Sequence, residues 1–260
     1  MCYTVGVMGN TNIIEVKNLV KKYGNYTAVD HISFSVKKGE VFGILGPNGA
    51  GKTTTLEMME TLRPIDDGTV MMDGIDVAKQ PRKIQRIIGV QLQASAFLEK
   101  LTLEEQLQLF AGINGAEVDV DKMLKEFDLT AKRKNYVEDL SGGQKQRFSI
   151  ATAIVHTPKV LFLDEPTTGL DPQARRNLWD LVQRIKKQGI TVILTTHYMD
   201  EAELLCDRVA VMDDGKILTI NTPKGLIKEL LGRGFKKEQV VEQANLEDVF
   251  IDLTGKGLRE

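Results

Sequence analysis

Residues 46–53 read Gly46-Pro47-Asn48-Gly49-Ala50-Gly51-Lys52-Thr53, the G-x-x-x-x-G-K-[ST] spacing of a loop able to wrap a nucleoside triphosphate. Gly46, Gly49 and Gly51 permit φ > 0 and close approach of the backbone, so successive N–H groups can point at one anion. Lys52 supplies a point charge for the outer phosphates, and the Thr53 hydroxyl, with Thr54 after it, is placed to ligate Mg²⁺. A second chemical pair, Asp164-Glu165, ends the apolar run Val160-Leu161-Phe162-Leu163. Carboxylates at the C-terminal end of a buried parallel strand stand where such sheets bind ligands. Beside a phosphate loop, the first orders the metal shell and the second orients or deprotonates an attacking water. His197 follows Thr195-Thr196 at another such strand end, where it can hydrogen-bond a γ-phosphate. Ser141-Gly142-Gly143-Gln144 satisfies a capping box, but its double glycine weakens the first helical turn while leaving backbone N–H groups bare for an anion. Tyr23, before the Gly24 turn, offers a ring on which adenine can stack; a half-buried strand-end tyrosine reads the same way.

These residues need strands that deliver them and helices that begin beside them. Val41-Phe42-Gly43-Ile44-Leu45 predicts a buried strand into the glycine loop, and Lys52 to Thr61, free of breakers, predicts the helix out of it. Upstream, Ile13 to Val16 and His31 to Val36 predict strands; downstream, Gly68 to Asp73 and Ile87-Ile88-Gly89-Val90 predict two more. From Phe97 to Leu140 the period turns helical: Thr102 and Glu105 pair as a capping box, and Val120, Met123, Leu124 and Phe127 make a second stripe. Asp171-Pro172 opens an amphipathic helix with Ala174, Leu178, Leu181, Val182 and Ile185 inward and Gly189 at its end. Thr191-Val192-Ile193-Leu194 then reads as a buried strand, and Asp213-Asp214-Gly215-Lys216 as a hairpin turn. The fold class is α/β: a mixed, mainly parallel sheet with flanking helices, an antiparallel β subdomain and an inserted helical subdomain.

With 260 residues and 42% apolar content, the chain can bury one large core or two associated ones. A formal charge of −2 supplies no polycation for nucleic acid and no field for an anionic membrane, so no nucleic-acid partner is expected. Two cysteines, Cys2 and Cys206, make no disulfide framework and suit a reducing, cytoplasmic compartment. No apolar run reaches the length of a bilayer span, and residues 1–12 lack the pattern of a leader.

Taken together, these motifs resemble the nucleotide-binding domain of ABC transporters over almost the whole chain, Ile14 to about Pro223. Gly46 to Thr54 is similar to the Walker A loop, Leu140 to Gln144 to the LSGGQ signature, and Val160 to Glu165 to the Walker B strand with its catalytic glutamate. Gly169-Leu170-Asp171 resembles the D-loop, His197 the switch histidine, and Tyr23 the adenine-stacking aromatic. Gln93 matches the Q-loop glutamine with Gly89 as register mark, and Gln91 two residues earlier is its alternative. The resemblance implies an ATPase domain over 12–223, with its helical subdomain at about 97–158, and a short helical extension over 224–260. It implies ATP and Mg²⁺ as cofactors, with Thr53, Gln93 and Asp164 on the metal side and Glu165, Gln93 and His197 in catalysis. It further implies a head-to-tail dimer of identical chains, in which Ser141, Gly142, Gly143, Gln144 and Asp171 of one copy face the nucleotide held by Lys52 of the other. Thr195 to Glu203 and Leu246 to Gly255 look like the daunorubicin-resistance type of exporter ATPase. That implies a separately encoded transmembrane permease and a station on the inner face of the cell membrane. Thr152 departs from the arginine that many relatives carry. The competing reading is an ABC ATPase without a membrane partner, which commonly carries two ATPase domains or a coiled coil; neither pattern occurs here.

Overall fold

Two twelve-residue strands, β1 (Asn12–Tyr23) and β2 (Tyr26–Lys37), pair antiparallel and extend well beyond the expected four- and six-residue segments. Their register shifts several times, and Asn18 and His31 sit at φ 48° and 52°. Each irregularity breaks the two-residue alternation by which a strand is read, which is why the pattern looked shorter. The computed structural model describes residues 12–91 and 97–235. In chain order, β3 (Val41–Leu45), α1 (Lys52–Met59), β4 (Asp67–Met72), β5 (Ile75–Asp76), α2 (Pro81–Gln85) and β6 (Ile88–Gln91) follow. β2, β1, β4 and β5 form a four-stranded antiparallel sheet in that order.

The helical block comes next, with α3 (Leu103–Ile113), α4 (Val120–Glu126) and α5 (Gly142–Ile154). The Thr102–Glu105 capping box starts α3 as expected, Asp119 caps α4, and the Ser141–Gln144 box starts α5. β7 (Val160–Asp164), α6 (Pro172–Lys187), β8 (Thr191–Thr196), α7 (Met199–Leu205), β9 (Arg208–Asp213) and β10 (Lys216–Asn221) complete the core. Asp171 accepts from Ala174 N at 2.8 Å, with Pro172 at the first helical position, so α6 begins where the sequence places it. The second sheet runs β10-β9-β3-β8-β7-β6, with β9, β3, β8, β7 and β6 parallel and β10 antiparallel at the edge.

Its central strands are buried on both faces. Val41, Leu161, Leu163, Val192 and Leu194 face one core with α3 to α7; Phe42, Ile44, Val160, Phe162 and Ile193 face another beneath the antiparallel sheet. Continuous apolar runs such as Val160–Leu163 follow from that two-sided cover. The register sets Leu45 opposite Thr196 and Asp164 opposite Thr195, so three strands deliver their next residues to one edge. The chain up to Lys224 is one compact unit, and a second begins at Gly225, described to residue 235. α8 (Pro223–Gly232) opens the expected 224–260 extension, of which residues 236–260 lie outside the described residues.

Candidate functional site

β3 is followed by Gly46, where a side chain is sterically barred: a Cβ there would stand 2.1 Å from Met212 O. Gly49 and Gly51 adopt φ 83° and 98°, and a Cβ on Gly51 would meet Ala28 O at 2.4 Å. The loop therefore wraps tightly because it has no side chains at those points. Gly51 is the N-cap of α1, and Lys52 is its first residue. The lysine is 4% exposed, donates to Gly46 O at 2.9 Å and Pro47 O at 3.0 Å, and lies 3.3 Å from Glu165 Oε1. Thr53 Oγ1 donates to both Asp164 oxygens, at 3.2 and 3.1 Å.

Asp164 ends β7 and is buried; Thr195 Oγ1 also donates to its Oδ1. The same Thr195 hydroxyl accepts from Glu165 N at 3.0 Å, tying both carboxylate residues to β8. Thr195 was not singled out from the sequence, although a hydroxyl buried at a strand end must find a partner. Glu165 sits at φ 46°, a left-handed conformation uncommon for glutamate, and this turns its chain off the strand. His197 Nδ1 lies 3.2 Å from Glu165 Oε2, within ion-pair range without the alignment of a hydrogen bond. Burial raises the Glu165 pKa, yet His197 and Lys52 together outweigh it and hold the carboxyl below the ordinary range. Thr168, also missed from the sequence, donates to Glu165 Oε2 at 3.3 Å.

A cleft of about 680 Å³ joins these groups, lined by Asn48, Gly49, Gly51, Lys52, Thr53 and Thr54 of the loop, by Glu165, Thr168 and His197, and by Tyr23 and Tyr26. Ala50 is buried beneath it, and Pro47 is exposed on the loop. Tyr23 is 42% exposed at the end of β1, with Lys21 and Arg63 5.7 and 5.6 Å from its ring centre. Tyr26, which the sequence reading passed over, is 53% exposed, and its hydroxyl lies 3.5 Å from Gly49 O. The Thr53 hydroxyl and the Asp164 carboxylate form a pair of hard oxygen donors, the set that suits Mg²⁺ completed by phosphate and water.

Ser141, Gly142, Gly143, Gln144 and Asp171 line a separate depression of about 470 Å³. Ser141 and Gly142 are exposed there, and the depression shares no residue with the loop cleft. Gln144 Oε1 accepts from Ser141 N at 3.0 Å and Ser141 Oγ accepts from Gln144 N at 3.4 Å, so the box holds the turn open. Gln91 ends β6 and is buried; Gln93 lies outside the described residues.

A glycine loop closing on a lysine, two carboxylates and a histidine at the ends of parallel strands defines a phosphate-loop nucleotide hydrolase. The ABC transporter family model matches residues 29–168. The linearmycin resistance ATP-binding protein of Bacillus subtilis is 38% identical over 253 residues, 95% of this chain and 76% of that protein. The daunorubicin/doxorubicin resistance ATP-binding protein of Streptomyces peucetius is 43% identical over 85% of this chain and 68% of its own. Among solved structures, an ATP-binding cassette of an ABC transporter in its ADP conformation superposes with TM-score 0.76 at 27% identity, covering 86% of this chain and 96% of that one. A dimeric bacterial ABC transporter cassette does so with TM-score 0.73 at 28% identity, over 81% and 98%. The chain belongs to the ABC transporter family and is an ATP-binding, ATP-hydrolysing cassette.

Proposed function

We propose that the chain powers a membrane exporter by hydrolysing ATP between two head-to-tail copies, each bound to a separately encoded permease at the inner face of the cell membrane. The observation that carries this reading is the separation of two half-sites: the loop cleft holds the lysine, carboxylates and histidine, while the serine-glycine turn is exposed elsewhere. Half-sites that lie in separate depressions of one chain can meet when a second chain is turned head-to-tail. The export role draws on relatives named for resistance to linearmycin and daunorubicin; the cargo class stays at drug, antibiotic, lipid or polysaccharide.

ATP binding exchanges the Lys52 partners, with the loop carbonyls and Glu165 giving way to phosphate oxygens. Loop N–H groups and the α1 dipole then hold the β- and γ-phosphates. Glu165, ionised at neutral pH, takes a proton from the water that attacks the γ-phosphorus, while His197 holds a γ-oxygen in line. Thr53 and Asp164 would hold Mg²⁺, which neutralises phosphate charge when bound. Across the interface, the Ser141 hydroxyl and the N–H groups of Gly142 and Gly143 donate to the same γ-phosphate. That attraction lasts only while the phosphate stays attached, so its release lets the copies part.

Glu165→Gln removes the base and leaves the binding groups, so it should trap an ATP-bound dimer. Sedimentation with ATP and Mg²⁺ reads this directly, and a chain that stays monomeric at saturating nucleotide overturns the dimer. Isolation from native membranes should bring down a multispanning membrane protein; finding only soluble companions removes the exporter reading.

A further inference from the structure

Three buried side-chain atoms without a hydrogen-bond partner, Thr167 Oγ1, Arg175 Nε and Glu201 Oε2, belong to one cluster around the Glu201 carboxylate. Glu201, on α7, has no exposed surface, and its Oε1 accepts from Trp179 Nε1 at 3.2 Å. Burial pushes its pKa up; the hydroxyls of Thr196 and Thr167, the indole and the Arg175 charge act against that. A carboxyl group taken wholly from water is destabilising unless its neighbours compensate, and the nucleotide cleft makes no use of it.

The cluster joins three segments that matter elsewhere. Thr196 ends β8 one residue before His197, Thr167 lies in the turn leading to Asp171, and Arg175 and Trp179 stand one turn apart on α6. The Arg175 guanidinium lies 4.4 Å from the centre of the Tyr198 ring, and that ring packs on His197 with centroids 4.2 Å apart. Arg175 also approaches Asp200 at 3.8 Å. The preceding residue of α6, Ala174, backs onto α5: a Cβ on Gly143 would come within 2.9 Å of the Ala174 Cβ. One helix therefore meets the neighbour of His197 through Arg175 and the serine-glycine turn through Ala174. Packed helices move as bodies, so a small displacement at one contact is carried to the other.

We propose that Arg175, Trp179 and Glu201 form a relay: engagement of a phosphate by His197 shifts α6 and thereby repositions the Ser141–Gly143 turn that the same chain offers its partner. The relay rests on the head-to-tail reading above, and it couples a chain's own cleft to the half-site it lends. Glu201 is a positioning residue in it, anchoring α7 to α6 through the indole.

Trp179 is the only tryptophan in the sequence, so its emission reads the relay. In a Glu165→Gln background, ATP with Mg²⁺ shifts that emission and ADP does not. Adding His197→Ala abolishes the ATP-specific shift while equilibrium dialysis still finds nucleotide bound. Glu201→Gln keeps volume and replaces the carboxyl that accepts from the indole; it lowers kcat about tenfold through misplacement and leaves KM for ATP unchanged, a split that general loss of packing does not give. Should Glu201→Gln fail to fold, Arg175→Met, which keeps a stem against Tyr198, carries the same kinetic expectation. Equal emission with ATP and ADP, an ATP-specific shift that survives His197→Ala, or parental kcat in the folded variants overturns the relay. Sedimentation of the same samples separates the two proposals. A monomer whose Trp179 still distinguishes ATP from ADP keeps the relay and removes the dimer, whereas a dimer with silent Trp179 removes the relay.

Discussion

Glu60 closes α1 and is 4% exposed, and its pKa is pushed up to about 8, by burial first and then by the charges of Asp164 and Glu57. Between the ordinary carboxyl value of 4.5 and pH 8, the folded chain holds a proton that the unfolded chain has lost. Stability therefore falls as pH rises through that window. Glu60→Gln keeps the volume and removes the titration, so it should leave Tm nearly unchanged at pH 5 and raise it at pH 8.5, on the order of 5 °C. Equal shifts at the two pH values would show that Glu60 is charged when folded. Lys52→Ala makes a sharper case, because it deletes the one buried cation beside the loop carbonyls and Glu165. Phosphate release should drop by about a hundredfold or more, as on loss of a preorganised electrostatic contact; turnover at the parental rate would remove Lys52 from the site. At this scale the loop, Asp164, Glu165 and His197 were legible because their types and spacing are themselves the signal. Thr195 and Thr168 were not, since a threonine at a strand end or in a turn looks like any other until its hydroxyl is seen against a carboxylate.

Among the elements, helix starts were the most readable feature, because a cap is local chemistry: Thr102, Ser141 and Asp171 each accept from the backbone N–H three residues on. The long first hairpin was the least readable, because bulges shift the face to which each side chain points. α5 carries a prediction that separates two uses of glycine. A methyl on Gly143 would press on the Ala174 Cβ at 2.9 Å, whereas one on Gly142 meets only Leu170 Cδ2 at 4.0 Å. Gly143→Ala should therefore destabilise the chain by about 1–3 kcal/mol through overpacking of α5 against α6, read as a lower midpoint in urea. Gly142→Ala should unfold with the parent, or slightly later because alanine favours a helix. A normal midpoint for Gly143→Ala would mean that α6 yields freely there, against the close packing from which this contact is argued.

For the whole molecule, no described helix is long and apolar enough to cross a membrane, and the phosphate loop and the serine-glycine turn lie in different depressions of one chain. In the proposed head-to-tail pair, each site takes its loop from one copy and its serine-glycine turn from the other, and activity would then be a property of the pair. Lys52→Ala destroys the loop half and spares the turn; Gly142→Arg blocks the turn, at an exposed helix start with room for a side chain, and spares the loop. Each variant alone should be inactive. In an equimolar mixture, about half the dimers are mixed, and each mixed dimer contains one site with an intact loop and an intact turn and one site with neither. Specific ATPase activity should therefore return to about a quarter of the parental value, provided one intact site turns over independently. The value falls on dilution as dimers separate, because the restored site exists only while two chains are joined. A mixture as inactive as its components, with both variants folded and ATP still bound by Gly142→Arg, would mean either that the turn does not complete a neighbour's site or that one site cannot fire without the other. In the same mixture a photoreactive ATP analogue distinguishes these: held by the loop of Gly142→Arg, it labels the Ser141–Gly143 turn of the Lys52→Ala chain only if that turn reaches across.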